Sequence, residues 1–154
     1  MSTQAPSAPV LQAWVHLVRA QTAVLGAVEA DLKKAGLPPL AWYDVLLELH
    51  RAEGMALRPL EIEGRLLLPQ HNVSRLLDRL ERAGHVSRQP HPTDGRGQVI
   101  HLSASGEALL RTMWPVYRAA ISRHLGAKLR GDAEAEQLAR LLGQLIGAQP
   151  PDSG

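Results

Sequence analysis

With 154 residues, 45% of them apolar and 21% charged, the chain has the length and balance of one folded domain, which excludes a disordered or fibrous polymer. It contains no cysteine, so a disulfide framework, thiolate-bound zinc, an iron–sulfur cluster and thiol redox sensing are all excluded. A formal charge of +2 is too mild to argue for a nucleic-acid partner by itself, and the placement of charge has to carry that case. No run approaches the roughly 18 apolar residues of a membrane span. Met1 to Pro9 lacks the basic start and apolar run of a secretion signal. The expected location is the cytoplasm, with no membrane partner.

Met1 to Ser7 and Gln149 to Gly154 read as frayed ends. From Val10 onward, Leu11, Trp14, Leu17, Val18, Leu25, Val28 and Leu32 recur at helical spacing until Gly36 and Pro38 stop the run. A second helix, about Leu40 to Arg51, carries Trp42, Tyr43, Leu46 and Leu49, and a short third follows Pro59. After Pro69, expected in a first helical turn, Val73, Leu76, Leu77 and Leu80 repeat at i, i+3, i+4 and i+7 as one core-facing stripe. The opposite face carries Gln70, His71, Ser74, Arg75, Asp78, Arg79 and Arg82, and Gly84 supplies the stop.

Beyond Gly84 the period shortens toward two: Val86 and Arg88 flank Ser87, and Ile100 and Leu102 flank His101. The turn-rich link from Pro90 to Gly97 makes these a two-stranded hairpin with Arg96 between two glycines at its tip. Ser103 is placed to cap a long helix in which Leu110, Met113, Trp114, Tyr117, Ile121 and Leu125 share a face, with Pro115 expected to bend it. Asp132 is expected to cap the last helix, where Leu138, Leu141, Leu142, Leu145 and Ile146 form an apolar stripe with no remaining partner. A second copy of the chain would cover it.

The order predicts a mainly α fold: a winged helix-turn-helix with a two-stranded β wing, and long N- and C-terminal helices forming a dimerisation domain. The expected divisions are 1–36 for the N-terminal dimerisation helix, 37–103 for the DNA-binding region and 104–154 for the C-terminal dimerisation helices. The major groove of B-DNA admits one helix, whose first polar residues reach base edges. Gln70, His71, Asn72 and Ser74 stand there. Arg75, Arg79 and Arg82 are suited to backbone phosphates, and Arg96 to the minor groove.

From about Leu40 to Leu110 the chain resembles the MarR (multiple antibiotic resistance regulator) family. The resemblance lies in Val73-Ser74-Arg75-Leu76-Leu77-Asp78-Arg79-Leu80-Glu81-Arg82-Ala83-Gly84, in Arg88, in Asp94-Gly95-Arg96-Gly97 and in Leu102-Ser103-Ala104-Ser105-Gly106. It implies a symmetric dimer joined through its terminal helices, the fourth helix in the major groove and the wing arginine in the minor groove. It also implies a small, often anionic aromatic effector in a cleft, for which His16, Arg19, Tyr43 and Arg88 are the candidates. The chain departs from the family at Pro69, where a serine or threonine cap is usual, at Gly64, where a larger residue is common, and at Gly95, where an arginine is common.

Simpler readings stand beside these. Arg75, Asp78, Arg79 and Arg82 could form a solvated, salt-bridged helix face, and Asp94 could be a turn former or the partner of an arginine. The seven histidines contain no His-x-x-x-His pair, so neither a metal nor another cofactor is expected. Trp14, Trp42, Tyr43, Trp114 and Tyr117 fall on apolar faces that suit a core. No nucleophile–base pair or phosphate loop is present, and Glu61 and Glu63 point to different helix faces, so an enzyme is not expected. The combined reading is a sequence-specific DNA-binding transcriptional regulator, a repressor that binds a palindromic operator in double-stranded DNA as a homodimer and is released by a small molecule. The rival is a winged-helix protein-interaction module without DNA binding.

Overall fold

A computed structural model describes residues 3–147, in which the helical periodicities become six α-helices and a small sheet is present. The helices are α1 (Ala8–Lys34), α2 (Leu40–Arg51), α3 (Pro59–Arg65), α4 (Val73–Arg82), α5 (Ala104–His124) and α6 (Asp132–Ile146); the strands are β1 (Ala56–Leu57), β2 (Val86–Pro90) and β3 (Gln98–Leu102). Of the expected frayed ends, Met1, Ser2 and Gln149 to Gly154 lie outside the described residues. No helix among the described residues is long and apolar enough to cross a membrane. The chain divides into two units, one of Glu29–Tyr117 and one of Met1–Val28 with Arg118–Gly154, so the divisions fall inside α1 and α5.

The Glu29–Tyr117 unit is built on leucine. Leu32, Leu46, Leu49, Leu77 and Leu80 are almost wholly buried, with Ile62, Ile100 and Met113. Each such side chain contributes about 1.5–3 kcal/mol by leaving water. The sheet is antiparallel in the order β1-β3-β2. Its hairpin has the expected alternation, with Val86 opposite Leu102 and Arg88 opposite Ile100. The expected two-stranded wing is present as β2 and β3, and a third strand joins the sheet, because Ala56 and Leu57 pair with His101 and Ile100. Two residues have no period to read. They are turned into the sheet by Gly54 and Met55, both at positive φ, and Leu57 is buried there. The extra strand matters, since an isolated hairpin is marginal in water.

Glycines end three helices in the left-handed conformation: Gly36 after α1, Gly84 after α4 and Gly147 after α6. After α4, Gly84 at φ 83° donates to the Glu81 carbonyl at 2.9 Å, and His85 donates to that of Leu80 at 2.9 Å, the paired bonds of a Schellman turn. The same pattern closes α1 at Gly36 and Leu37. The Ser103 hydroxyl then donates to the Gly84 carbonyl at 2.7 Å and accepts from the Gly106 amide at 3.1 Å, so the expected cap of α5 also holds the end of α4. Pro115 sits inside an unbroken α5. Asp132, expected as a cap, is instead the first residue of α6. Gly131, at φ 83°, takes the cap position.

In the other unit, α6 buries none of its residues, and Leu141, Leu142, Leu145 and Ile146 are exposed. The first half of α1 likewise exposes Val10, Leu11, Trp14, Val15, Leu17 and Val18, with Trp14 at 64%.

A Cβ on Gly106 would lie 2.3 Å from the His85 carbonyl oxygen and 2.6 Å from Leu102 Cδ1, whereas one on Gly64 would meet nothing within 4 Å. Gly106→Ala should therefore destabilise the fold by about 1–3 kcal/mol, the usual scale of overpacking. Gly64→Ala should be neutral or stabilising by up to about 1 kcal/mol, since alanine is the better helix former. Urea unfolding of the two variants tests this, and equal midpoints would refute it.

Candidate nucleic-acid interface

The fourth helix is amphipathic because its apolar residues fall on one side: Val73, Leu76, Leu77 and Leu80 are buried, while Ser74, Arg75, Asp78, Arg79 and Arg82 are exposed. Arg75, Asp78, Arg79 and Arg82 line a shallow cleft of about 310 Å³, three guanidinium groups against one carboxylate, with Glu81 also exposed on the helix. The helix begins at Val73, later than the expected first turn at Pro69. Asn72 is its cap, with Oδ1 accepting from the Arg75 amide at 3.0 Å. Gln70 and His71 therefore precede the helix in a loop, where Gln70 Nε2 donates to the Leu68 carbonyl at 3.3 Å. The cap that Pro69 cannot supply is present three residues later.

That loop is tethered by Asp44, the one charged residue buried among those described, at 6% exposure. Its two carboxylate oxygens accept from the amides of Leu67, at 3.1 Å, and Leu68, at 2.8 Å. A buried carboxylate without such donors would be strongly unfavourable. Here it fixes backbone groups that no helix or strand satisfies.

The wing tip is ordered by its own side chains. His91 Nδ1 accepts from the amides of Thr93 at 3.2 Å and Asp94 at 3.0 Å. Asp94 fills both roles left open for it: Oδ1 accepts from the Arg96 amide at 3.2 Å, and Oδ2 pairs with Arg58 at 3.5 Å. The Arg96 side chain is left exposed. Lower on the wing, Arg88 of β2 bonds Asp78 of α4 and donates to Gln98 of β3 at 3.1 Å, with Glu81 of α4 at 3.7 Å from its Nε.

The four effector candidates are not gathered in one place. His16 and Arg19 are exposed on α1 in the unit that holds Met1–Val28. Arg88 is engaged with Asp78 and Gln98. Tyr43 alone lines a cavity of about 210 Å³, shared with Asp44, Arg51, Arg65, Leu67 and Tyr117. The rings of Tyr43 and Tyr117 meet edge to face, with centroids 5.1 Å apart, and Trp114 stacks on Tyr43 at 6.3 Å. Burial pushes the Tyr43 phenol above its ordinary value, opposed in part by Arg51. Burial, and then the negative charge of Asp44, pushes Tyr117 up. Arg51 and Arg65 were missed. Arg51 follows Tyr43 and Leu47 at four-residue steps along the stripe of α2 that lines the cavity, a signal within reach, but Arg65 joins it only through the tertiary fold.

Comparison with known proteins agrees with this architecture. A family model described as MarR family matches residues 35–97. The HTH-type transcriptional repressor YetL of Bacillus subtilis is 31% identical over 104 residues, which cover 68% of this chain and 61% of YetL. The chain thus aligns with about three-fifths of that curated relative's length. In fold, it is similar to Sco3205, a MarR family transcriptional regulator of Streptomyces coelicolor crystallised in complex with DNA, with TM-score 0.83, 24% identity, and coverage of 99% of this chain and 96% of that one. It is also similar to BpsR of Bordetella bronchiseptica, whose DNA binding is regulated by 6-hydroxynicotinic acid, with TM-score 0.78, 21% identity, and coverage of 94% and 100%. The winged helix-turn-helix order, the capped α4 with its arginine face and the wing agree with these likenesses: residues 35–97 match the MarR family, and the described fold is similar to that of MarR family transcriptional regulators.

Proposed function

We propose that this protein is a homodimeric repressor that binds a palindromic operator in double-stranded DNA and releases it when a small anionic aromatic molecule binds. The observation that carries the reading is the exposed arginine face of α4, held in one unit with the ordered wing that carries Arg96. In this reading α4 enters the major groove. Gln70, His71, Asn72 and Ser74 face base edges, Asn72 with its Nδ2 because its Oδ1 is spent on the cap. Arg75, Arg79 and Arg82 neutralise phosphates, and Arg96 enters the minor groove. The DNA complex of Sco3205 and the repressor role of YetL support the assignment.

A second copy of the chain is the partner that suits the exposed apolar residues of α1 and α6, and two-fold symmetry then imposes a palindrome with half-sites about 34 Å apart. The effector is assigned to the Tyr43 cavity rather than to His16, Arg19 or Arg88. Arg51 and Arg65 supply guanidinium groups there, beside the carboxylates of Asp44 and Glu48, the aromatic rings supply stacking faces, and the DNA binding of BpsR is regulated by a small aromatic acid. Leu67 and Leu68 belong to the cavity wall and to the loop entering α4. A ligand that favours another position of that loop would shift the population away from the DNA-binding form.

A mobility-shift titration on the promoter beside its own gene should show sequence-selective binding that weakens as salt rises, and Arg75→Ala and Arg96→Ala should each lower affinity by about tenfold. Sequence-blind or salt-insensitive binding would overturn the reading. Sedimentation should give a dimer, and Leu145→Glu with Ile146→Glu should shift it toward monomer; a wild-type monomer at micromolar concentration would exclude the dimer.

Alkali gives a test of the cavity. Raised tyrosine values mean that folding favours the neutral phenols, so their contribution to stability is whole below the ordinary value of 10.0 and is lost as pH climbs through the raised folded values. Ultraviolet titration should show phenolate forming at higher pH in the native protein than in urea, with the thermal midpoint falling on the alkaline side. Coincident native and unfolded curves would show that neither ring is buried as described.

A further inference from the structure

One feature of α4 works against the role proposed for it. Among the exposed charges at positions 75, 78, 79 and 82, three are arginines and one, Asp78, is a carboxylate that would repel the phosphates its neighbours attract. We infer that Asp78 is there to form a strut with Arg88 that fixes the wing against α4, and so sets where Arg96 falls relative to Arg75 and Arg79. The inference rests on the DNA-binding reading given above.

The geometry is that of a brace. Arg88 lies on β2 opposite the buried Ile100, and its side chain is 22% exposed. One guanidinium edge bonds Asp78 Oδ1 on the helix, and Nη1 donates to Gln98 Oε1 on β3 at 3.1 Å. A single planar group thus joins α4 to both strands of the hairpin, a task for which the rigid guanidinium fork is suited and a lysine is not. Glu81 stands 3.7 Å from Nε, so two carboxylates of α4 flank the cation. That flanking makes Arg88 a poor phosphate ligand and a good anchor. The strut is independent of the second tether, Arg58 with Asp94, which holds the wing nearer its tip.

Replacing Asp78 with alanine separates this role from simple electrostatics. The change removes a negative charge from the DNA-facing side and puts the best helix former in mid-helix, so charge and propensity both predict equal or tighter binding. The strut predicts the opposite. Asp78→Ala should weaken operator binding by about fivefold, and Arg96→Ala, costing about tenfold alone, should cost less than about twofold in the Asp78→Ala background, because the wing is already misplaced. Arg88→Lys should behave like Asp78→Ala. In the free protein, amide exchange at residues 86–102 should quicken in Asp78→Ala while α2 and the thermal midpoint stay as in the wild type.

Tighter binding by Asp78→Ala, or full additivity with Arg96→Ala, would overturn the strut. Unchanged wing exchange would overturn it without reference to DNA. A wild-type protein that binds no genomic fragment would sink the DNA-binding reading and the role of Arg88 in it, while the exchange data would still report on the brace.

Discussion

The geometry of this unit turns on the reversal at Gly84 and His85. Here α4 ends, β2 begins, and the first turn of α5 returns to close the gap. The residue at 84 must take a left-handed φ, its carbonyl must receive the Ser103 hydroxyl, and nothing larger than a hydrogen fits at 106 against the His85 carbonyl. Each condition is local, yet together they fix the exit of the wing from α4. Loosening any one would free the wing from the helix end and the end of α4 from α5, which burial of the leucine stripe alone could not prevent, because burial is indifferent to direction.

Three aspartates extend the same logic outward. Asp44 holds the loop that leads into α4, Asp78 holds the base of the wing through Arg88, and Asp94 holds its tip through Arg58 and the Arg96 amide. A unit proposed to meet a polyanion would gain nothing from carboxylates as contacts. It gains from them as anchors, since a charged acceptor makes stronger hydrogen bonds than a neutral one. Arg58 and Arg88 are consumed as their partners, whereas Arg75, Arg79, Arg82 and Arg96 remain outward. The division of the arginines into braces and contacts follows from which of them an aspartate reaches.

Much of this was legible from the chain alone, where a long period made it so. The stripe at Val73, Leu76, Leu77 and Leu80 gave α4 its inner face, and the alternation about Ser87 and His101 gave the hairpin its register. The start of α4 was not legible from Pro69, because a proline tolerated in a first turn does not require one, and the competing tether of Leu67 and Leu68 to Asp44 spans more than twenty residues of sequence. The strand at Ala56 and Leu57 was too short to carry a pattern. The family resemblance pointed to Arg88 as an effector residue, and only the register of β2 against α4 shows its guanidinium engaged with Asp78. The grouping of Tyr43 with Arg51 and Arg65 was out of reach for the same reason: it is a property of three elements, not of one.

The loop between α3 and α4 is where the proposed effector and the proposed DNA contacts come closest in the chain. It has no ladder of its own hydrogen bonds; its first amides are held by one carboxylate, and its last residue, Asn72, caps the helix. Leu67, though part of the cavity wall, is 72% exposed, so little apolar burial resists its movement. A segment held this way is at the low end of local stability. Couplings between sites are typically about 1–3 kcal/mol, which is the scale of one or two hydrogen bonds to a charged group. A ligand in the cavity therefore need not deform a helix or open the core to change the placement of Gln70, His71 and Asn72. It need only favour an arrangement in which Asp44 and the loop amides part, and the proposed contact residues at the start of α4 move with the backbone that carries them.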